Sequence, residues 1–129
     1  MSNPAESEAI AAARGFVDAF NAQDYEALAG TLNFPHVRLA NGRFNTIESH
    51  EAFVRQGERV KKLLVEEGWD HTVLLSIDTV HVGDDKVHLA IAFDRCHADG
   101  TAYNHFETLW VATLQDGHWG IQFRSSYLR

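Results

Sequence analysis

The fold is decided by residues 86–123, which read KVHLAIAFDRCHADGTAYNHFETLWVATLQDGHWGIQF. Apolar and polar residues alternate along this stretch, and a period of two is typical of β-strands that bury one face. The alternation is interrupted at Asp99-Gly100 and at Asp116-Gly117, which are two-residue turn signals. The same period begins upstream at Thr72 and is interrupted at residues 83–85. We therefore predict an antiparallel meander of four strands, each of about ten residues.

The turns fix the expected register, because the residues that flank a tight turn face each other across the two strands. The expected pairs are Arg95 with Asn104, Leu89 with Trp110, Trp110 with Phe123, and Phe106 with Tyr127. A three-residue loop at 83–85 adds Ile77, Leu75 and Val73 to the same face. A β-bulge would turn the end of a strand over and reverse these assignments there.

The region before the meander carries helix signals. Asn3 is the expected N-cap of a first helix that begins at Pro4 and runs to about Asn21. Asp24 is the expected cap of a short second helix, which includes Leu32 and ends before Pro35.

A small hairpin and a third helix follow. Residues 36–40 and 43–47 flank Asn41-Gly42, the strongest two-residue hairpin signal. Ser49 is the expected cap of the third helix, and Gly68 is its expected stop. Helices first and sheet second indicate one α+β domain over residues 1–129.

Composition and charge exclude several classes of protein. The chain has 129 residues, of which 45% are hydrophobic and 22% are charged, as in globular domains. Its net charge is −7 and its longest basic run is Lys61-Lys62, so we expect neither nucleic acid nor an anionic membrane as partner. The single Cys96 and the polar residues 1–8 predict a cytoplasmic protein.

Two segments carry a family resemblance: FVDAFNAQDYEAL at residues 16–28 and DGHWGI at residues 116–121. With this order of elements, the chain resembles the NTF2-like superfamily, in particular SnoaL-like and ketosteroid-isomerase-like proteins. The resemblance implies a cone in which a curved sheet wraps around three helices and encloses an apolar pocket. It also implies a homodimer packed through the sheet.

The resemblance does not extend to steroid isomerase chemistry. In the alignment through the Asn-Ala-x-Asp segment, the position of the family's catalytic tyrosine holds Phe16, and that of its general-base aspartate holds Ala40. The superfamily includes isomerases, dehydratases, cyclases and noncatalytic modules, so the activity must be argued from the residues of the pocket.

One set of polar residues is a candidate site. If Ala40 faces the pocket, strand alternation puts His36 and Arg38 on the same face. His36 is a candidate base, and Arg38 would stabilise the anion that forms. The candidate ligand contacts from the sheet are Arg95, Asn104, Trp110 and Tyr127. Arginines favour a carboxylate or an enolate, because guanidinium donates paired charge-assisted hydrogen bonds.

A structural alternative exists for both candidate catalytic residues. His36 follows Pro35 at the start of a strand, where an exposed histidine is common, and Arg38 can pair with an acidic residue on a helix. No His-x-x-x-His or Cys-x-x-Cys spacing is present, so the sequence predicts neither a metal site nor another cofactor.

Two classes of function follow. The first is a cofactor-independent lyase, isomerase or cyclase that acts on a small, largely apolar carbonyl or hydroxyl compound. The second is a noncatalytic ligand-binding or dimerisation module.

Overall fold

The computed structural model describes residues 4–127, and this part of the chain forms four helical segments and six strands. The helices are α1 (Pro4–Ala22), α2 (Tyr25–Gly30), α3 (His50–Arg55) and α4 (Gly57–Glu67). The strands are β1 (Leu32–Ala40), β2 (Arg43–Ile47), β3 (His71–Val82), β4 (Lys86–Cys96), β5 (Ala102–Gln115) and β6 (His118–Ser126). The predicted α+β class is confirmed, with the third helix divided at Gln56. The predicted N-cap Asn3 lies outside the described residues.

All six strands belong to one sheet, in the order β2-β1-β6-β5-β4-β3. Neighbouring strands are antiparallel except β1 and β6, which run parallel. The predicted meander corresponds to β3 through β6, and the predicted hairpin to β1 and β2 around Asn41-Gly42. Helix α1 contacts β3, β4, β5 and β6, so it crosses the inner face of the sheet. The parallel pairing brings residues 36–40 beside the last strand.

Local signals set the helix ends as predicted. The Asp24 side chain accepts a hydrogen bond from the Ala27 amide at 3.1 Å, and the Ser49 hydroxyl accepts one from the Ala52 amide at 3.2 Å. Gly68 ends α4 with a φ of 80°, a left-handed conformation that glycine adopts without strain. None of the described helices has both the length and the apolar character that crossing a membrane requires.

The second helix is shorter than the sequence predicts. Helix α2 ends at Gly30, and Leu32 is the first residue of β1, where it is buried. The prediction that Leu32 is helical was wrong because its spacing from Leu28 fits both a helical stripe and the start of a buried strand.

The register between β5 and β6 contains a bulge that reverses the end of β6. Ala112 lies opposite Ile121 as predicted, but the next residue of β5, Val111, lies opposite Phe123, so Gln122 is the extra residue. From this point on, the residues of β6 exchange faces.

The bulge corrects two predicted pairs and one predicted side-chain direction. Trp110 lies opposite Arg124 instead of Phe123, and Tyr127 is not the partner of Phe106. Tyr127, which we expected on the inner face opposite Phe106, is 69% exposed. The β4–β5 register is confirmed from Arg95 opposite Asn104 onward, including Leu89 opposite Trp110, but it shifts next to the turn, where Cys96 lies opposite Ala102.

A second bulge changes the start of β3. Ile77 lies opposite Ile91 on the inner face, as predicted, but Leu75 is the extra residue between Leu74 and Ser76. Leu75 and Val73 are therefore exposed, against the prediction.

The core lies between α1 and the inner face of the sheet. Ala9 and Ala13 of α1 are fully buried, which lets the helix backbone approach the strands closely. Trp110 and Phe106 fill the centre at 1% exposure. Where β6 passes β1, a β-carbon on Gly120 would lie 2.6 Å from the Leu32 carbonyl carbon, so only glycine fits at that position.

Candidate functional site

A partly enclosed cavity lies between the helices and the inner face of the sheet. Its volume is about 100 Å³, whereas a cavity of about 150 Å³ holds one benzene molecule. The cavity is therefore smaller than one that encloses a benzene ring, and because it is only partly enclosed, a ring can enter in part and extend through the opening.

The walls of the cavity are largely aromatic. They include Phe16 and Phe20 from α1, Phe93 from β4 and Trp110 from β5. The rings of Phe16 and Trp110 meet edge to face, with centroids 4.7 Å apart. The Trp110 indole donates its N–H to the Thr108 hydroxyl at 2.9 Å, so its one donor is satisfied within the protein. The ring thus serves as an apolar wall for a flat ligand.

Three guanidinium groups reach this apolar cavity: Arg38 from β1, Arg95 from β4 and Arg124 from β6. Arg38 and Arg124 are neighbours in register on adjacent strands, an arrangement in which like charges repel. No Asp or Glu of residues 4–127 lines the cavity. The cavity is therefore strongly cationic inside a protein whose net charge is −7.

His36 lies behind Arg124 and holds it. The imidazole Nδ1 lies 2.9 Å from the Ile121 carbonyl oxygen, and the Arg124 Nε–H donates to the imidazole Nε2 at 3.0 Å. A carbonyl oxygen only accepts, so Nδ1 carries the proton and Nε2 is the acceptor. Both ring nitrogens of this fully buried histidine are therefore in use.

The surroundings of His36 keep its imidazole neutral. Burial, and then the charge of Arg124, lower the pKa of His36 from 6.5 to about 3. A base this weak, with no ring atom at the cavity surface, does not suit proton abstraction at neutral pH. The geometry therefore argues against the catalytic role that the sequence suggested for His36.

Arg95 is held from the rim of the cavity. Its terminal nitrogen donates to Glu67 at 2.9 Å, and the same carboxylate oxygen accepts the Tyr103 hydroxyl. The Arg95 guanidinium lies 4.8 Å from the centroid of the Phe106 ring, a cation–π distance. Burial, followed by the bond to Glu67, raises the pKa of Tyr103, so this phenol stays protonated as a donor.

The arginines lack part of their hydrogen bonding. The Nε atoms of Arg38 and Arg95 are buried and have no partner among the described residues. Burial, and then the charge of Arg95, lower the pKa of Arg38 to about 10. Burial, and then the charges of Arg38 and Arg95, hold the pKa of Arg124 well below its usual value. These shifts reflect first the cost of burying a cation and then the repulsion between neighbouring cations, and a bound carboxylate would offset both.

The structure brings together only part of the site predicted from sequence. Arg38, Arg95 and Trp110 line the cavity, as predicted for the inner face. His36 is behind the surface. Asn104 and Tyr127 border a separate, more open depression with Tyr103, His105 and Glu107.

Sequence reasoning missed Arg124, the residue that joins the cluster through the β6 bulge. Regular alternation from Ile121 places Phe123 inside and Arg124 outside, and nothing local to the sequence marks Gln122 as an extra residue. One signal was present: Arg124 is the only charged residue in β6.

No metal centre is formed by the described residues. Residues 4–127 contain no group of three or more His, Cys, Asp or Glu side chains placed to hold an ion. His105 lies 2.8 Å from Asp94 in a pairwise contact.

Comparison with known proteins agrees with this fold. Residues 7–124 match the family described as NTF2-like protein (DUF6841). A search of curated proteins gives no match. An NTF2-like protein of unknown function from Pseudomonas putida KT2440 is 15% identical, with a TM-score of 0.77 over 100% of this chain and 89% of that one.

Two further solved structures share the fold. A ketosteroid isomerase-like protein from Erwinia carotovora atroseptica SCRI1043 is 19% identical, with a TM-score of 0.71 over 98% of this chain and 97% of that one. A protein from Catenulispora acidiphila, solved in complex with S-DNPA, is 16% identical, with a TM-score of 0.70 over 95% and 91%. At these identities the likeness concerns the fold alone.

Proposed function

The chain belongs to the NTF2-like protein family DUF6841, and we propose that it binds a small, largely apolar molecule carrying a carboxylate or another oxyanion. The apolar body of the ligand lies against the aromatic walls, and its anionic group accepts hydrogen bonds from the arginines. No cofactor is part of this proposal.

The observation that carries the proposal is that Arg38 and Arg124 lie next to each other on adjacent strands. Two cations occupy neighbouring positions on parallel strands, and neither has a carboxylate partner in the described part of the chain. Uncompensated charge in a partly buried place is costly, so such an arrangement is typical of a site that an anion completes.

A binding function is favoured over proton-transfer catalysis. A lyase, isomerase or cyclase of the expected kind needs a proton acceptor beside its substrate. The cavity lining within residues 4–127 includes no carboxylate and no imidazole. Its phenol, Tyr25, donates to Gln23 at 2.9 Å, and burial raises its pKa. The arginines would stabilise an enolate, but that alone does not remove a proton.

The proposal is tested by comparing benzoate with benzamide in isothermal titration calorimetry. The two probes have nearly the same shape, and only benzoate is charged. We expect benzoate to bind about tenfold more tightly, which corresponds to about 1.4 kcal/mol. Equal affinities would contradict an anion site.

Matched variants locate the binding. Arg124→Met should remove most of the benzoate affinity, because it deletes a guanidinium of the cavity but keeps an apolar stem. Arg59→Met, on the exposed face of α4, should bind benzoate as the wild type does. Loss of binding in both variants would indicate a general charge effect.

We also propose that two copies pack through the outer face of the sheet. This face carries exposed apolar side chains, including Val73, Leu75 and Leu109. Apolar patches of this kind are common at subunit interfaces. Sedimentation equilibrium at micromolar concentration should give the mass of a dimer, and Leu75→Lys should shift it towards the monomer. A wild-type monomer under these conditions would contradict the proposal.

A further inference from the structure

The cavity contains more positive charge than the protein neutralises. Three guanidinium groups line it, and no Asp or Glu of residues 4–127 does. Glu67 neutralises Arg95 from the rim, at 2.9 Å. Arg38 and Arg124 are therefore left without a carboxylate in the part of the chain that the structure describes.

Glu67 already has two hydrogen-bond donors within the protein. The carboxylate oxygen that accepts a hydrogen bond from Arg95 also accepts one from the Tyr103 hydroxyl. The Arg95 guanidinium is in addition fixed over the Phe106 ring, 4.8 Å from its centroid. Arg95 and Glu67 thus form one balanced pair, and the unbalanced charge belongs to the other two arginines.

His36 does not reduce the charge of that arginine pair. It accepts one hydrogen bond from Arg124 but stays neutral, because burial and the adjacent cations disfavour its imidazolium. Arg38 and Arg124 occupy neighbouring positions in register, so their guanidinium groups can meet a common anion. The positive charges of Arg38 and Arg124 therefore remain to be neutralised by a bound ligand.

We propose that the ligand carries two negative charges, as a dicarboxylate or a phosphate monoester on a small apolar body. The inference rests on the proposed function, because it takes the cavity as an anion site and specifies the charge of its occupant. A dianion matches the two unpaired guanidinium groups, whereas a monoanion leaves one of them unmatched.

The cavity also limits the body that bears these charges. A volume of about 100 Å³ with aromatic walls admits a short unsaturated chain or part of a ring. The Phe16 ring, 4.8 Å from the Arg124 guanidinium, lets the apolar body lie directly beside the charged end.

Three probes that share a phenyl ring differ in the negative charge that the ring carries. Benzoate carries one negative charge, whereas phthalate and phenyl phosphate carry two at about pH 8, since carboxyl groups and phosphate monoesters titrate below that pH. Affinities are measured by isothermal titration calorimetry at low ionic strength, where screening is weak.

We expect at least one dianion to bind about tenfold more tightly than benzoate. The tighter of the two dianions identifies the anionic group as a pair of carboxylates or a phosphate. Benzoate affinity equal to that of both dianions would overturn the two-charge assignment and leave the proposed function standing. Absence of binding by all three probes would overturn both.

A variant tests whether the preference comes from the arginine pair. Arg38→Met removes one of the two unmatched charges, so the preference for dianions over benzoate should fall below about threefold. Arg59→Met is the control and should keep the wild-type preference. A full preference in Arg38→Met would contradict the assignment, and the wild-type probe series remains decisive if this variant does not fold.

Discussion

At the scale of single residues, His36 decides which edge of the Arg124 guanidinium stays free, because its neutral imidazole accepts a hydrogen bond from that guanidinium. The Arg124 Nε–H is directed back to His36, so the terminal NH₂ groups of Arg124 remain for other partners. The Phe16 ring lies 4.8 Å from the same guanidinium and limits its movement. His36 is thus a positioning residue, and its ring is itself fixed by the Ile121 carbonyl.

The buried neutral His36 predicts a specific dependence of stability on pH. Its pKa is about 3 in the folded protein and about 6.5 in the unfolded chain. Between these values the unfolded state binds more protons, so stability falls as the pH decreases through this window and is unaffected by His36 above it. Wild type should lose about 1 to 2 kcal/mol more than His36→Gln between about pH 6.5 and about pH 5.

Urea unfolding followed by tryptophan fluorescence measures this difference at each pH. A glutamine side chain can donate a hydrogen bond to the Ile121 carbonyl and accept one from Arg124, but it does not titrate. The contributions of the other ionisable groups to the pH dependence therefore cancel when the two proteins are compared. Parallel stability curves for the two proteins would contradict the neutral assignment of His36.

At the scale of elements, the bulge in β6 is held by its own side chain. Gln122 accepts a hydrogen bond from the Thr113 hydroxyl at 2.8 Å and donates to the Pro35 carbonyl at 3.1 Å. One side chain thus connects β6 to both neighbouring strands at the point where the register changes. The bulge is therefore a stabilised feature of the sheet.

Gln122→Leu should destabilise the β6 bulge, and it changes the side-chain volume only slightly. Two hydrogen bonds are lost, so we expect the free energy of unfolding to fall by about 1 to 2 kcal/mol. Benzoate affinity should fall as well, because the bulge directs Arg124 into the cavity. A variant with reduced stability but unchanged affinity would show that the bulge does not depend on the Gln122 side chain.

The contact between β6 and β1 is equally restrictive. Gly120→Ala would place a β-carbon 2.6 Å from the Leu32 carbonyl carbon and 2.8 Å from the Asn33 amide nitrogen, and neither backbone atom can move independently. We expect a loss of at least about 2 kcal/mol in urea unfolding.

The matched control for that prediction is Gly30→Ala. A β-carbon at Gly30 meets no atom within 4 Å, and the residue ends α2, where alanine is the better helix former. This variant should be as stable as the wild type or slightly more stable. Equal losses in the free energy of unfolding for Gly120→Ala and Gly30→Ala would indicate a general effect of removing a glycine, instead of a clash between β6 and β1.

At the scale of the whole molecule, the cationic cavity opposes folding in the absence of a ligand. Arg38→Met removes a partly buried charge whose Nε has no hydrogen-bond partner among the described residues. We expect the unliganded variant to be more stable than the wild type by about 1 to 3 kcal/mol. Thermal unfolding in anion-free buffer measures this, and a destabilised variant would show that Arg38 has a structural role.

The sequence predicts those parts of the whole that depend on neighbouring residues. Asp24 and Ser49 cap helices, and the Asp99-Gly100 turn joins β4 to β5, because each acts over a few positions. The bulges at Leu75 and Gln122 lie inside strands, where no turn residue indicates them, so the alternation of the sequence continues through them unmarked. The candidate site has the same error: the sequence predicts Arg38 and Arg95 on the cavity face, and it does not predict Arg124 there.

The single extra residue in β6 has a consequence for comparisons among relatives of this chain. A homologue that kept every residue of β6 but paired it without a bulge would present the counterpart of Phe123 to the cavity instead of Arg124. A homologue with one residue fewer at the position of Gln122 would need no bulge to keep the arginine on the inner face. A gap of one residue in this strand therefore does not by itself indicate that a relative has lost the third arginine of the cavity.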